Sequence, residues 1–326
     1  MSNQRSVVLK NVWEIVEQEP TVWDYIEEKD YSFYCKANQE KIFLSSFKNK
    51  DLPSSPYSLT PLGKVLTKLS TLANIMSRLP GTEEVTFYVL LNSPHSGFLG
   101  KKTDKKMLRI AAPPLVWRRQ QIRERITQKV RDYTEKNQSF FFLDIGSGGG
   151  FDSLEIERLI HRVNELSGNS FVKHYQSLNV DIDEKWLNNN KIVAEKLFGL
   201  NHHIAEENIS IFDFWEKSKN LTLNRYDNLI ISCNGFAEFL SDIELRKLYK
   251  EIYKFSQDFE GNIDIILPFA NKNKKQETLG KKIGFQFKAK AKAEIINMIE
   301  EIFVNYKVLY HEKYSHIVMN IEKNID

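Results

Sequence analysis

The chain has 326 residues, 41% hydrophobic and 12% aromatic, enough to bury one large core or two smaller ones. Its formal net charge of +3 is too small to point to a nucleic-acid partner. Cys35 and Cys233 are the only cysteines, which excludes a disulfide framework or a cysteine zinc cluster; residues 1–10 carry no signal-peptide core and no apolar run approaches the ~18 residues of a membrane span, so a cytoplasmic protein is expected.

Residues 1–115 read as a mainly helical region. Val7, Val8, Val12, Ile15 and Val16 form one amphipathic stripe, and Val22, Tyr25 and Ile26 suggest a short second helix after Pro20. Thr60 is a good N-cap, with Pro61 at the first helical position. Leu62, Val65, Leu66, Leu69, Leu72, Ile75, Met76 and Leu79 then hold one face until Pro80-Gly81, a seam suited to a core or to a homodimer interface. Val85–Leu91 reads as a strand. Asn92–Lys106, with Gly97, Gly100 and several lysines, reads as a polar loop, either a lid or ordinary surface.

Residues 116–326 read as a second unit. A charged helix is predicted over Trp117–Tyr133, where Ile122, Ile126 and Val130 recur every four residues. Arg118, Arg119, Arg123 and Arg125 lie mostly on other faces, either as solvated charges or with one of them facing an anion. Phe140–Leu143 then reads as a buried parallel strand, too short for a helix. Gly146, Gly148 and Gly150 turn the chain, and from Leu154 the apolar period becomes helical.

The dinucleotide fingerprint G-x-G-x-x-G does not fit this turn. Counted from Gly146 its last glycine falls on Phe151, and counted from Gly148 it falls on Ser153. The pattern D-x-G-x-G-x-G fits at Asp144, Gly146, Gly148 and Gly150. This resembles motif I of the class I S-adenosylmethionine methyltransferases. The resemblance implies that the cofactor's methionine moiety lies on Gly146, Ser147, Gly148 and Gly150, with Asp144 near its ammonium.

Ser177–Asp183 reads as a second strand with an acidic end. The resemblance places Asp181 on the ribose hydroxyls and Ile182 beside the adenine; Asp183 is the alternative acid, or a helix N-cap. Asn208–Phe214 reads as a third strand, and the resemblance gives Asp213 to the adenine amino group and Phe214 to the ring face. Tyr226–Ser232 resembles the family's motif IV, followed by Asn234 and Glu238 in the loop after the fourth strand. Phe239 stands where many members carry histidine. Glu238 is then a candidate base or simply a cap of the next helix, with Asn234 beside it as a second catalytic or cofactor-binding candidate. A fifth strand, Asn262–Leu267, precedes a lysine-rich stretch from Lys272 to Lys292, which is either a solvated loop or an anion-binding segment. Tyr306–His311 and His316–Ile321 read as an antiparallel hairpin.

The fold expected is therefore α/β: a doubly wound, mostly parallel seven-stranded sheet ending in an antiparallel hairpin, with a mainly helical N-terminal region. The function implied is methyl transfer from S-adenosylmethionine to an O, N or C atom of a small molecule, with no resident metal. Methylation of protein or RNA, and a non-catalytic binding module, are the alternatives.

Overall fold

The computed structural model describes residues 2–19, 21–22, 55–78, 83–91, 98–168, 174–234, 236–271, 278 and 290–323. The expected second helix around Tyr25, the stop at Pro80-Gly81 and most of the lysine-rich stretch lie outside them. Among the described residues five helices precede the sheet: α1 (Ser2–Val16), α2 (Pro61–Leu69), α3 (Thr71–Arg78), α4 (Glu83–Leu91) and α5 (Phe98–Glu135). The rest alternates: β1 (Phe140–Ile145), α6 (Phe151–Ser167), β2 (Tyr175–Asp181), α7 (Glu184–Phe198), β3 (Ile204–Asn208), α8 (Ile211–Ser218), β4 (Asn228–Ser232), α9 (Asp242–Gln257), β5 (Asn262–Ala270), α10 (Lys292–Ile302), β6 (Tyr306–Lys313) and β7 (His316–Lys323).

The strands form one sheet in the order β3-β2-β1-β4-β5-β7-β6. β7 runs against both its neighbours, so the expected hairpin closes an otherwise parallel sheet. Strand alternation divides β1 between two cores. Phe140 and Phe142 pack with Ile122, Ile126 and Val130 of α5, with α6 and with Leu9, Trp13 and Val16 of α1. Phe141 and Leu143 face the opposite layer, where α8, α9 and α10 supply Phe214, Leu248, Tyr249 and Ile299.

The N-terminal half departs from expectation in three places. The seam from Pro61 is broken at Ser70, whose extended backbone ends α2 and whose hydroxyl accepts from Ala73 N–H at 3.0 Å to start α3. Thr60 does cap α2, accepting from Gly63 N–H at 3.1 Å. The break splits the stripe: Leu72 and Ile75 are buried, whereas Leu62, Val65 and Leu69 are exposed.

Val85–Leu91 is helix, not strand. It is apolar on all sides and packs between α3 and α5, so neither period nor β-branched content separates the two states. Glu83 and Glu84 in its first turn favour the helix through the macrodipole.

The segment 98–106 is also helix rather than loop. α5 runs 38 residues through Pro113 and Pro114, a pair that costs roughly 3 kcal/mol or more. Burial on both sides offsets this: Leu108 and Ala112 join Leu72, Ile75 and Tyr88 in a third core, which also takes Leu154 of α6 and Trp186 of α7. The expected division at 115/116 therefore falls inside one helix. Among the described residues no helix is long and apolar enough to cross a membrane.

Candidate functional site

β1 delivers its chain end into the glycine turn at the carboxyl edge of the sheet. Gly146 N–H bonds Val180 O at 2.8 Å, which ties the turn to β2. Gly148 and Gly150 have φ of 51° and 62°, where L side chains are strained. A Cβ on Gly150 would lie 1.7 Å from Asn190 Nδ2, and one on Gly148 2.6 Å from Glu83 Oε2. Gly150 is therefore required by close approach as well as by φ, and Gly148 by φ, since the end of the Glu83 side chain can shift. Gly148 N–H donates to Asp181 Oδ2 at 2.8 Å, while Asp181 Oδ1 accepts from Asp183 N–H at 2.9 Å. Asp183 caps α7 by accepting from Lys185 and Trp186 N–H, the second of its two expected roles. Ile182 is 74% exposed beside it.

Acidic groups crowd this turn. Asp144 is 2% exposed, and its Oδ1 has no hydrogen-bond partner among the described residues; neither have Ser147 Oγ and Asn234 Oδ1. Burial, and then the neighbouring Asp152 carboxylate, push the Asp144 carboxyl well above the usual range. Burial likewise raises Asp152, whose Oδ2 receives Asn234 Nδ2 at 3.4 Å and Ser232 Oγ at 3.5 Å. Glu83 of α4 reaches the turn from above and is pushed up to about 7, chiefly by burial. The cation facing this group is Arg119, whose Nη2 lies 3.4 Å from Glu83 Oε1 and whose guanidinium sits 4.8 Å over the Phe151 ring.

Arg118 points elsewhere in the same region. It is buried and ion-paired with Glu238, which lies in a short 3₁₀ turn after β4. His316 Nε2 is 3.7 Å from the same carboxylate, but burial lowers its pKa to about 3, so the imidazole is neutral. Glu238 itself is raised by burial against the opposing pull of Arg118. The expectation that the arginines lie off the buried stripe fails at Arg118. It stands four residues before Ile122 and continues the Ile122–Ile126–Val130 row, a spacing the sequence already contained.

The third strand is the other correction. β3 spans Ile204–Asn208, and Ser210 then caps α8 by accepting from Phe212 N–H. Asp213 is exposed on the first turn of that helix, and Phe214 is 1% exposed in the core. Neither stands at a strand end. The residue that does is Asn208, whose Nδ2 donates to Asp181 O at 3.2 Å, and it was missed because the Ile-Ser-Ile-Phe alternation that follows mimics a strand. Glu83, the other omission, was hidden by reading α4 as a strand. Among the described residues no group of three or more His, Cys, Asp or Glu side chains is placed to hold a metal ion.

The strand order, with a reversed β7 inserted between β5 and β6 and a glycine turn at the end of the central β1, decides the architecture. The chain has the class I methyltransferase fold. No family model and no curated protein matches it. Solved structures resemble it at low identity. The magnesium protoporphyrin IX methyltransferase of Synechocystis PCC 6803 with bound SAH is 12% identical over 67% of this chain and 87% of its own, with a TM-score of 0.46. A putative methyltransferase from Thermobifida fusca YX is 12% identical over 74% and 93%, also at 0.46. An O-methyltransferase family protein from Burkholderia thailandensis is 8% identical over 68% and 60%, at 0.41.

Proposed function

We propose that this chain is an S-adenosylmethionine-dependent methyltransferase acting on a small molecule. The observation that carries the reading is the set of buried acceptors Asp144 Oδ1, Ser147 Oγ and Asn234 Oδ1, which have no partner among the described residues and belong to the glycine turn after β1 and the loop after the adjacent β4. A buried acceptor without a donor costs about 1–3 kcal/mol, so three together at one strand edge are more readily explained by a ligand that donates to them than by packing. A methionine ammonium is such a donor, and the surplus of carboxylates suits a cofactor that carries a sulfonium as well.

In this reading Asp144, with Ser147 and Asn234, holds the ammonium. Asp181, fixed by Gly148 and Asp183 N–H, keeps one lone pair on each oxygen for the ribose hydroxyls. Ile182 and Asn208 flank the adenine in place of Phe214 and Asp213. Glu83 covers the turn, and its flexible end swings away from Gly148 to admit the ligand. When bound, the cofactor supplies an electrophilic methyl group. The chain's own contribution is alignment and exclusion of water, for which α4 and α5 form the cover. Glu238, held by Arg118, is better suited to fixing the loop after β4 than to removing a proton.

Calorimetric titration with S-adenosylmethionine, S-adenosylhomocysteine and, as control, NAD tests the reading. One-site binding of both adenosyl compounds and none of NAD is expected. Failure of both to bind folded protein would sink it.

A further inference from the structure

A cavity of about 220 Å³ lies between α5 and the start of α6, next to the glycine turn. Val22, Leu90, Val116 and Phe151 give it apolar walls, and Arg119 and Asp152 belong both to it and to the acidic cluster around Asp144. Its remaining charged groups are Glu155 and Arg123.

The acids of this cavity are already satisfied. Glu155 accepts from Arg158 Nη2 at 2.8 Å and Nε at 3.1 Å, and from Val22 N–H at 2.8 Å. Asp152 is held by Asn234 and Ser232. Arg123 differs: it is half-buried, one turn along α5 from Arg119, and has neither a hydrogen bond nor an ion pair with any described residue. A half-buried guanidinium beside apolar walls, with every nearby acid engaged, is a site for an anion. One unmatched positive charge between two carboxylates suits a monoanion and disfavours a phosphate dianion.

We propose that this cavity binds the methyl acceptor, and that the acceptor is an apolar-bodied carboxylic acid whose carboxylate is held by Arg123. This rests on the methyltransferase reading for the word acceptor alone; the ligand class follows from the cavity. The volume accommodates a body of one or two aryl rings, and the walls at Phe151 and Val116 offer it planar and aliphatic contact.

The test is calorimetric, with 1-naphthoate as probe and 1-naphthamide and 1-naphthylmethylamine as neutral and cationic controls. The carboxylate should bind at one site at least ~10-fold more tightly than either control, as expected for a charge-assisted contact. Arg123→Gln should remove that preference and leave S-adenosylhomocysteine affinity unchanged, and Arg123→Lys should keep a reduced preference for the anion. Equal binding of the three probes, no binding of 1-naphthoate, or an unchanged preference in Arg123→Gln would each overturn the proposal. If 1-naphthoate binds as expected while the adenosyl compounds do not, the methyltransferase reading fails and the anion site stands.

Discussion

α5 lies over two buried charge clusters built on opposite plans. At its middle, Arg118 and Arg119 meet Glu83, Asp144, Asp152, Asp181 and Glu238 at the carboxyl edge of the sheet. Two turns later, Arg125, Lys129 and Tyr133 meet Asp264 of β5 and Glu322 of β7. Arg125 Nη2 is 2.9 Å from Asp264 Oδ1, Lys129 Nζ 2.8 Å from the same oxygen, and Tyr133 Oη donates to Oδ2 at 2.6 Å. Lys129 also reaches Glu322 at 3.0 Å. The lower cluster balances two cations against two anions and saturates Asp264. The upper one has more acid than base and leaves acceptors without donors. Buried charge that closes on itself locks a helix to a sheet; buried charge left open is a candidate ligand site, as proposed above.

The largest effect expected from this contrast is on stability at the closed cluster. Asp264→Ala leaves Arg125 and Lys129 with Glu322 alone among the described residues to pair with and Tyr133 Oη without its acceptor, and disrupting a buried pair in this way costs up to about 3–5 kcal/mol. Denaturant unfolding should show that loss, with affinity for S-adenosylhomocysteine retained by the fraction that folds. A variant that loses affinity but no stability would mean the two clusters have been assigned the wrong way round.

The clusters should also respond to pH with opposite sign. Glu83 has its folded-state pKa raised from 4.5 to about 7, chiefly by burial, so the folded chain keeps a proton that the unfolded chain releases. Its contribution is complete below 4.5 and is lost as pH rises through 7. Glu206, raised to about 8 by burial, acts in the same direction. For Glu322, burial pushes upward but the hydrogen bond from Lys129 and the charges of Lys129 and Arg125 prevail, and the net shift is downward. That contribution is present above 4.5 and lost as pH falls through the depressed value. Chemical denaturation between pH 5 and pH 8 should therefore show declining stability, and Glu83→Gln should remove about 3 kcal/mol of the decline. An unchanged slope in Glu83→Gln would mean that Glu83 is not buried against the turn.

How far each cluster could be read from the sequence follows from how its residues are spaced. Asp144 was legible because strand, acid and glycines are contiguous and each glycine has a local reason to be there. The place of Asp181 was legible because an apolar run ends on it, and it is the last residue of β2. Glu83 and Asp264 were not: each matters through a partner more than 30 residues away, and nothing local distinguishes it from a solvated acid. Arg118 lay between these cases. Its spacing from Ile122 places it on the buried row, whereas its charge alone suggests a solvated face. The helical identity of α4 and of residues 98–106 was lost for a related reason, since tertiary burial decides both and local apolar content decides neither.

The smallest effect separates ligand binding from stability within the open cluster. Asp144→Asn keeps the shape of the side chain and removes a buried carboxylate whose protonation burial already favours. The folded chain no longer has to hold that group against Asp152, so stability should be unchanged or raised at pH 8. Affinity for S-adenosylhomocysteine should fall, because a carboxylate that pairs with the ammonium is replaced by an uncharged amide. The difference is about 1–1.5 kcal/mol, or roughly 5- to 10-fold in Kd. Paired unfolding and titration on the one variant check both halves. Loss of stability with affinity intact would make Asp144 a structural acid like Asp264, and the distinction between open and closed clusters would not hold.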